Sequence, residues 1–370
     1  MKQHLFIASK FEIAGTVTEI KPLGPGFIND TFIVNTHEGT KYILQRKNHI
    51  VFPDVPGMMN NILMVTQHIK SKVAASGGDP MREVLTIVKR NDASMTEAEK
   101  ALPYSDLHYK DGDGNFWAVC LFIEGSVTYE RADTPVLAYK GGQGIGRFQA
   151  QLSDFTTPLS ETIKGFHNIR WRFQQWEEAL RTDAAGRVKE LAEEISWVES
   201  RKEEMLAFWS LVENGTIPTR VTHNDTKISN ILFNAADEVL CVIDLDTCMS
   251  STSLNDFGDA IRSYANTSTE DERDLSRVGL SLEMFKAYTE GYLSERRSTL
   301  CESELEWLAF SARYITYEQM LRFLMDYIDG DKYYKINAPD HNLVRTHAQH
   351  KLLCSMEEQY AQMVETVRNA

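Results

Sequence analysis

Residues 221–248 read VTHNDTKISNILFNAADEVLCVIDLDTC, and they carry His223, Asp225, Lys227, Asn230 and Asp244 in an order that suits phosphoryl transfer to a hydroxyl. Such a transfer needs a base for the acceptor's proton, oxygen ligands for Mg2+, and a cation to offset charge on the migrating group. Asp225 fits the base, Asn230 and Asp244 the metal ligands, and Lys227 the cation. Taken singly, Asp and Asn are ordinary turn residues. Their register is the informative part: Asp-x-Lys-x-x-Asn, then Leu-Phe, a polar turn at 234–238, and an apolar run over 239–243 that ends in Asp244. A second candidate, Asp256-Phe257-Gly258, begins 31 residues after Asp225, whereas Asp244 follows by 19. A hairpin that returns a carboxylate toward Asn230 needs only the shorter spacing. Asp256, with Asp259, is expected to brace the catalytic loop or cap the next helix.

The elements that must hold these groups read as a small sheet followed by helices. Segments 16–20, 31–36 and 41–46 are short and rich in β-branched and aromatic residues, with a Gly-containing turn at 37–40. Between the first two lies Leu23-Gly24-Pro25-Gly26-Phe27, where backbone amides would cover the phosphates of ATP. Residues 55–75 place Met58, Met59, Ile62, Leu63, Val65 and Ile69 near helical spacing. That segment has no acidic residue, and YILQR (42–46) has no lysine, so Arg46 is the expected phosphate cation, with Gln45 the alternative on the opposite face. Segments 84–88 and 116–123 supply two more strands, and Asp111-Gly112-Asp113-Gly114-Asn115 reads as a turn rather than a calcium loop. The last strand runs through Phe122 into Glu124-Gly125, the expected hinge, whose backbone would meet the adenine edge. From Thr134 onward the pattern is helical. The small residues of Gly141-Gly142-Gln143-Gly144-Ile145-Gly146 lie within it and suit close helix packing better than a nucleotide loop.

Asp-x-Lys-x-x-Asn is similar to the catalytic loop of protein kinases, and the strand ending in Ile243-Asp244 resembles that of the aminoglycoside phosphotransferase-like kinases. Within that family the chain looks most like the N-acetylhexosamine 1-kinase group. The features are the residues 26–32 (GFINDTF), YILQR, Val51-Phe52, Asn60-Asn61-Ile62, the residues 321–327 (LRFLMDY), Gly330-Asp331-x-Tyr333-Tyr334 and His341-Asn342-Leu343-x-Arg345. The resemblance runs from about residue 15 to residue 355. It implies an α+β, protein-kinase-like bilobal fold, with a small antiparallel-sheet N-lobe (1–123) and a large, mainly helical C-lobe (124–370) joined near 122–126. It also implies an ATP- and Mg2+-dependent kinase whose nucleotide contacts include Gly24, Gly26, Asn29, Thr31, Arg46, Phe122 and Glu124. A sugar acceptor would lie by Asp225, Arg322, Asp326 and Tyr333, with the anomeric hydroxyl of an N-acetylhexosamine or related hexose phosphorylated. Aminoglycoside, choline, homoserine or methylthioribose are the alternative acceptors, and an inactive nucleotide-binding module is a third reading. The group usually has His where this chain has Phe27, so a polar contact there is missing.

Composition agrees. A chain of 370 residues with 42% hydrophobic content can bury a substantial core, and two domains are expected at this length. No run of 18 apolar residues occurs, and the first residues, with a broken apolar patch, do not read as a signal peptide. Five cysteines stand singly, which suits a reducing cytoplasm and argues against a zinc site. A net charge of −14 disfavours nucleic acid as a partner. The oligomeric state is open, and a monomer is compatible with everything above.

Overall fold

The computed structural model describes residues 2–24 and 28–370. Alternating β-branched and aromatic residues build the sheet. Strands β1 (Val17–Pro22), β2 (Asp30–Thr36) and β3 (Lys41–Lys47) follow one another antiparallel, with Phe32 opposite Leu44. β3 then pairs with β6 (Phe116–Leu121), placing Leu44 opposite Val119. Two short strands, β4 (Ile87–Val88) and β5 (Tyr109–Lys110), also pair with β6. The even-numbered face of β3 buries Tyr42 and Leu44 against Val34, Trp117, Val119 and Ile7 and Ala8 of the Lys2–Ala8 helix. The odd-numbered face therefore turns Gln45 and Lys47 the other way.

The expected strand over 84–88 shrinks to Ile87–Val88. Asp79 accepts from Met81 N and Pro80 opens a short helix, Pro80–Glu83, which takes up the residues ahead of it. The 111–115 segment is a turn, as expected. Asp111 accepts hydrogen bonds from the Asp113 and Asn115 amides and from Trp117 Nε1 (2.8 Å). The helix Val55–Ala75 forms where the spacing placed it, capped by Asp54, which accepts from Gly57 N.

The chain divides into two compact units. The first is Met1–Thr128 with Asp154–Lys164 and Ile231–Ser250; the second is Tyr129–Ser153, Gly165–Asn230 and Ser251–Ala370. In the first unit, Ile231–Phe233 and Val239–Val242 form the expected antiparallel hairpin around a turn at Asn234, whose N–H donates to the Glu238 carbonyl (2.9 Å). Ile123, Leu232 and Cys241 pack together, with Leu240 and Ile243 beside them.

The second unit is helical. The Pro135–Gln151 helix meets Leu282–Arg296 so closely that a Cβ on Gly142 would overlap the Tyr288 carbonyl, and one on Gly146 would lie 2.6 Å from the Tyr292 carbonyl. Close packing thus accounts for the glycine run. Glu302–Asp329 is buried along nearly its whole circumference, packs against Ser253–Tyr264 and His341–Glu358, and ends at Gly330 (φ 90°). Among the described residues no helix is long and apolar enough to cross a membrane. All five cysteines are free, and burial pushes the Cys120 and Cys241 thiols up to about 12, which favours the protonated thiol.

Candidate active site

In the second unit, strand Arg220–Thr222 delivers the loop 223–227, and the turn Ile228–Asn230 follows. Two carboxylates one turn apart on the Ser253–Tyr264 helix hold this loop by its backbone. Asp256, fully buried, accepts from His223 N (2.9 Å) and Asn224 N (2.7 Å), and from Gln149 Nε2 (2.7 Å). Asp259 accepts from Thr226 N (2.9 Å) and pairs with Arg262 (3.1 Å). Burial raises the Asp256 pKa against the opposing pull of His223 and the two amides. Burial pushes Asp259 the same way, but Arg262 and His167 prevail and hold it below the usual carboxylate range. The bracing role expected of Asp256 and Asp259 is thus observed atom by atom.

Asp225 stands at the mouth of this loop. Its Oδ1 lies 2.9 Å from Lys227 Nζ, and its Oδ2 accepts from Asn230 Nδ2 (3.1 Å), which also donates to the Asp225 carbonyl (2.8 Å). Burial works against the charge on Lys227, but Asp225 and Asp259 outweigh it and raise its pKa, so the ammonium is kept. The amide nitrogen of Asn230 is thus committed to Asp225, and its Oδ1 is the side chain's acceptor atom.

Behind the loop lies a buried trio that sequence reasoning did not find. His167 Nδ1 meets Glu318 (2.5 Å), Arg172 Nε donates to the other Glu318 oxygen (2.9 Å), and His167 Nε2 lies 3.5 Å from the Asn224 carbonyl. Burial alone would raise the Glu318 pKa, yet His167, Arg172 and Arg322 hold it well below the ordinary range. His167 and Glu318 are 151 residues apart, and no local pattern links them.

Arg322, one helical turn past Glu318, sits 5.3 Å from the Phe166 ring, 5.7 Å from Tyr333 and 5.6 Å from Tyr334. It donates to Gln319 (3.1 Å), which donates in turn to the Tyr334 hydroxyl (3.0 Å). Arg345 lies 5.9 Å from the Tyr334 ring, and Tyr333 is exposed. Asp326, expected to contact substrate, is buried and already saturated. Its Oδ1 accepts from the amides of Lys332 (2.9 Å) and Tyr333 (2.8 Å), its Oδ2 from Tyr334 N (3.0 Å) and Asn342 Nδ2 (2.8 Å). It shapes the loop that presents Tyr333 and has no lone pair left for a ligand.

The first unit holds the remaining groups. Asp244 is exposed and rests in the left-handed region (φ 58°, ψ 55°), sparsely populated for residues other than glycine. Asp246, two residues on, is buried. Arg46, the expected phosphate cation, is instead exposed and paired with Asp30. Lys47, the next residue, is buried, with Nζ 2.7 and 3.0 Å from the two oxygens of Asp246. Strand alternation carries this signal, since Lys47 shares a face with Gln45 and lies one residue past the segment considered. Gln45 donates to Thr31 Oγ1 (3.3 Å), and Asn29 donates to Asp246 (2.8 Å), so Thr31 and Asn29 bond within the protein. Gly24 takes φ 67°; Gly26 and Phe27 lie outside the described residues. Phe122 N donates to the Lys41 carbonyl (3.1 Å), Glu124 pairs with Lys41 (3.1 Å), and the Glu124 carbonyl accepts from Arg82 (3.1 Å).

The Asn230 amide oxygen and the Asp244 carboxylate, each expected as a metal ligand, are hard oxygens of the kind that suits Mg2+ or Ca2+. Among the described residues no cluster of three or more His, Cys, Asp or Glu could hold a metal alone.

Residues 19–293 match the model of the phosphotransferase enzyme family. The chain is also similar to three solved structures. A microcompartment-associated aminopropanol kinase is 16% identical with TM-score 0.60, covering 98% of each chain. An aminoglycoside phosphotransferase from Alicyclobacillus acidocaldarius is 12% identical with TM-score 0.56, covering 96% of each. An amicoumacin kinase in complex with AMP-PNP and Ca2+ is 13% identical with TM-score 0.56, covering 100% of this chain and 93% of that one. At these identities the structures speak for the fold, which is the protein-kinase-like fold of small-molecule kinases. Together with the loop around Asp225, the family match makes this chain a member of the phosphotransferase enzyme family, a kinase that phosphorylates a hydroxyl group of a small molecule.

Proposed function

We propose that this protein transfers the γ-phosphoryl group of ATP, in the presence of Mg2+, to a sugar hydroxyl, specifically the anomeric hydroxyl of an N-acetylhexosamine or related hexose. The observation that carries the reading is the set of charges around the 322–345 segment. An acceptor bearing an amine, such as aminopropanol or an aminoglycoside, needs a free carboxylate or an open aromatic face. Here Asp326 is saturated, and Asp331 is spent on Arg187 (2.7 Å) and Asn342 (2.8 Å). The faces of Tyr333 and Tyr334 already carry the guanidinium of Arg322, and Arg345 adds a second cation at Tyr334. Such a surface repels a second cation and suits neutral hydroxyls, an acetamido oxygen, and stacking on exposed Tyr333.

In this reading Asp225 orients the acceptor hydroxyl and accepts its proton as the oxygen attacks the γ-phosphorus. The bond to the bridging oxygen breaks, and ADP leaves with its electron pair. Lys227, held cationic, offsets the charge on the migrating group. Asn230 Oδ1 and Asp244 would hold Mg2+, which, when bound, neutralises phosphate charge and keeps the phosphates in line. The Phe122 carbonyl and the Glu124 N–H would meet the adenine edge, and the Ile123, Leu232 and Cys241 cluster offers the ring an apolar surface. The amicoumacin kinase's complex with AMP-PNP and Ca2+ supports the choice of an adenine nucleotide and a divalent ion. The test is ATP consumption across free hexoses, N-acetylhexosamines, their 1-O-methyl glycosides and amino alcohols. Turnover on reducing sugars that vanishes with the 1-O-methyl glycosides supports an anomeric kinase; turnover on the amino alcohols alone overturns the sugar assignment.

A further inference from the structure

Lys47 is the only buried lysine among the described residues. Removing an ammonium from water costs several kcal/mol unless it is paired and fully hydrogen-bonded. Lys47 meets that condition, with Asp246 Oδ1 at 2.7 Å, Asp246 Oδ2 at 3.0 Å and Gln45 Oε1 at 2.8 Å. Asp246 is itself fixed by Asn29 Nδ2 (2.8 Å), and Asn29 Oδ1 accepts from Asn48 N (3.0 Å). A buried ion pair of this kind adds little stability over an apolar pair of the same size, so stability alone does not account for it. Its location does. Protein kinases hold the phosphate-binding lysine of the third strand with a glutamate from the neighbouring helix. The corresponding helix here, Val55–Ala75, has no acidic residue at all.

We propose that Lys47 is the cation that meets the nucleotide phosphates, and that Asp246 is the positioning residue that holds it. Asp246 takes the place of the missing helix carboxylate. The inference rests on the reading that ATP is the phosphoryl donor. The acid comes from the turn that also carries Asp244, only two residues away, so one ion pair ties the end of β3 to the turn bearing the metal-ligand carboxylate. On nucleotide binding Lys47 keeps Asp246 and exchanges Gln45 Oε1 for a phosphate oxygen. Gln45 retains Thr31 Oγ1 as its own partner. Arg46, in its exposed pair with Asp30, has no part in this contact.

The test is calorimetric titration of the full chain with MgATP and, separately, with adenosine. Variants are Lys47→Met, Arg46→Met, Asp246→Asn and the double variant Lys47→Met/Asp246→Asn. Lys47→Met is expected to weaken ATP by about 10- to 100-fold, the worth of a hydrogen bond to a charged group, and to leave adenosine unchanged. Asp246→Asn should weaken ATP selectively as well, and the double variant should match Lys47→Met, because Asp246 acts through the lysine. Arg46→Met should bind ATP normally. If Lys47→Met fails to fold because it strands a buried carboxylate, the neutral double variant carries the comparison. Wild-type ATP affinity in the double variant, equal losses for ATP and adenosine, or a phosphate-specific loss in Arg46→Met would overturn the assignment. A wild-type chain that binds no ATP would overturn the donor reading along with it, whereas ATP binding untouched by the double variant overturns Lys47 alone.

Discussion

Asp225 is positioned by its backbone neighbours as well as by the contacts of its side chain with Lys227 and Asn230. The backbone amides on either side of it are tied to Asp256 and Asp259, and His167 approaches the Asn224 carbonyl from behind. Replacing Asp256 with Asn puts an amide NH2 where two backbone N–H groups require acceptors, so one of them loses its partner. Asp256→Asn is expected to lower kcat on the order of 10- to 100-fold, the usual cost of misplacing a reacting group, with a much smaller change in KM. Steady-state kinetics at saturating ATP checks the split. At this scale the sequence was informative where register carried the message, as for the bracing of the loop by Asp256 and Asp259 and the placing of Asn230 against Asp225. It was uninformative where the message lay in a distant partner. Nothing near Asp326 announces that four donors converge on it, and nothing near His167 points to Glu318.

Among the elements, the glycines of Pro135–Gln151 and the first turn of Glu302–Asp329 are the two joints that can be tested. Gly142→Ala drives a methyl into the Tyr288 carbonyl of the neighbouring helix. It should destabilise the protein by about 1–3 kcal/mol, the cost of overpacking, as read by urea unfolding. Glu304 links that first turn to the Arg220–Thr222 strand through Arg220 (2.8 Å) and to Ser253 (2.7 Å). Burial alone would raise its pKa, but the bonds to Arg220, Ser253 and Cys301 N bring it down to about 2 from an ordinary 4.5. A carboxylate with a depressed folded pKa contributes stability that is complete above 4.5 and is lost as pH falls toward about 2. Glu304→Gln should therefore lose stability at neutral pH and show a shallower loss between those two values, measured by denaturant midpoints against pH. Periodicity located the 55–75 helix and the sheet strands, while the apolar run at 84–88 pairs only over Ile87–Val88, behind the short helix Pro80–Glu83.

Over the whole chain, the division into a small antiparallel sheet and a helical remainder was readable from the change of period after Thr134. The joining of 154–164 and 231–250 to the N-terminal unit was not, since it rests on contacts between segments far apart in the sequence. Net charge is −14, yet Arg322 and Arg345 converge on Tyr334, so under the proposed function local charge rather than the total would govern the acceptor. An N-acetylhexosamine is accordingly expected to exceed the matching hexosamine, whose amine is protonated, by about tenfold or more in kcat/KM, since like-charge juxtaposition costs several kcal/mol. Equal efficiencies would show that the cations of this segment do not face the acceptor.

The most direct test of phosphoryl transfer through the 223–230 loop is kcat for Asp225→Asn at saturating ATP and acceptor. A fall of about 100-fold or more, with nucleotide binding retained, is the result expected of a lost general base. A near-normal rate would contradict the role of Asp225.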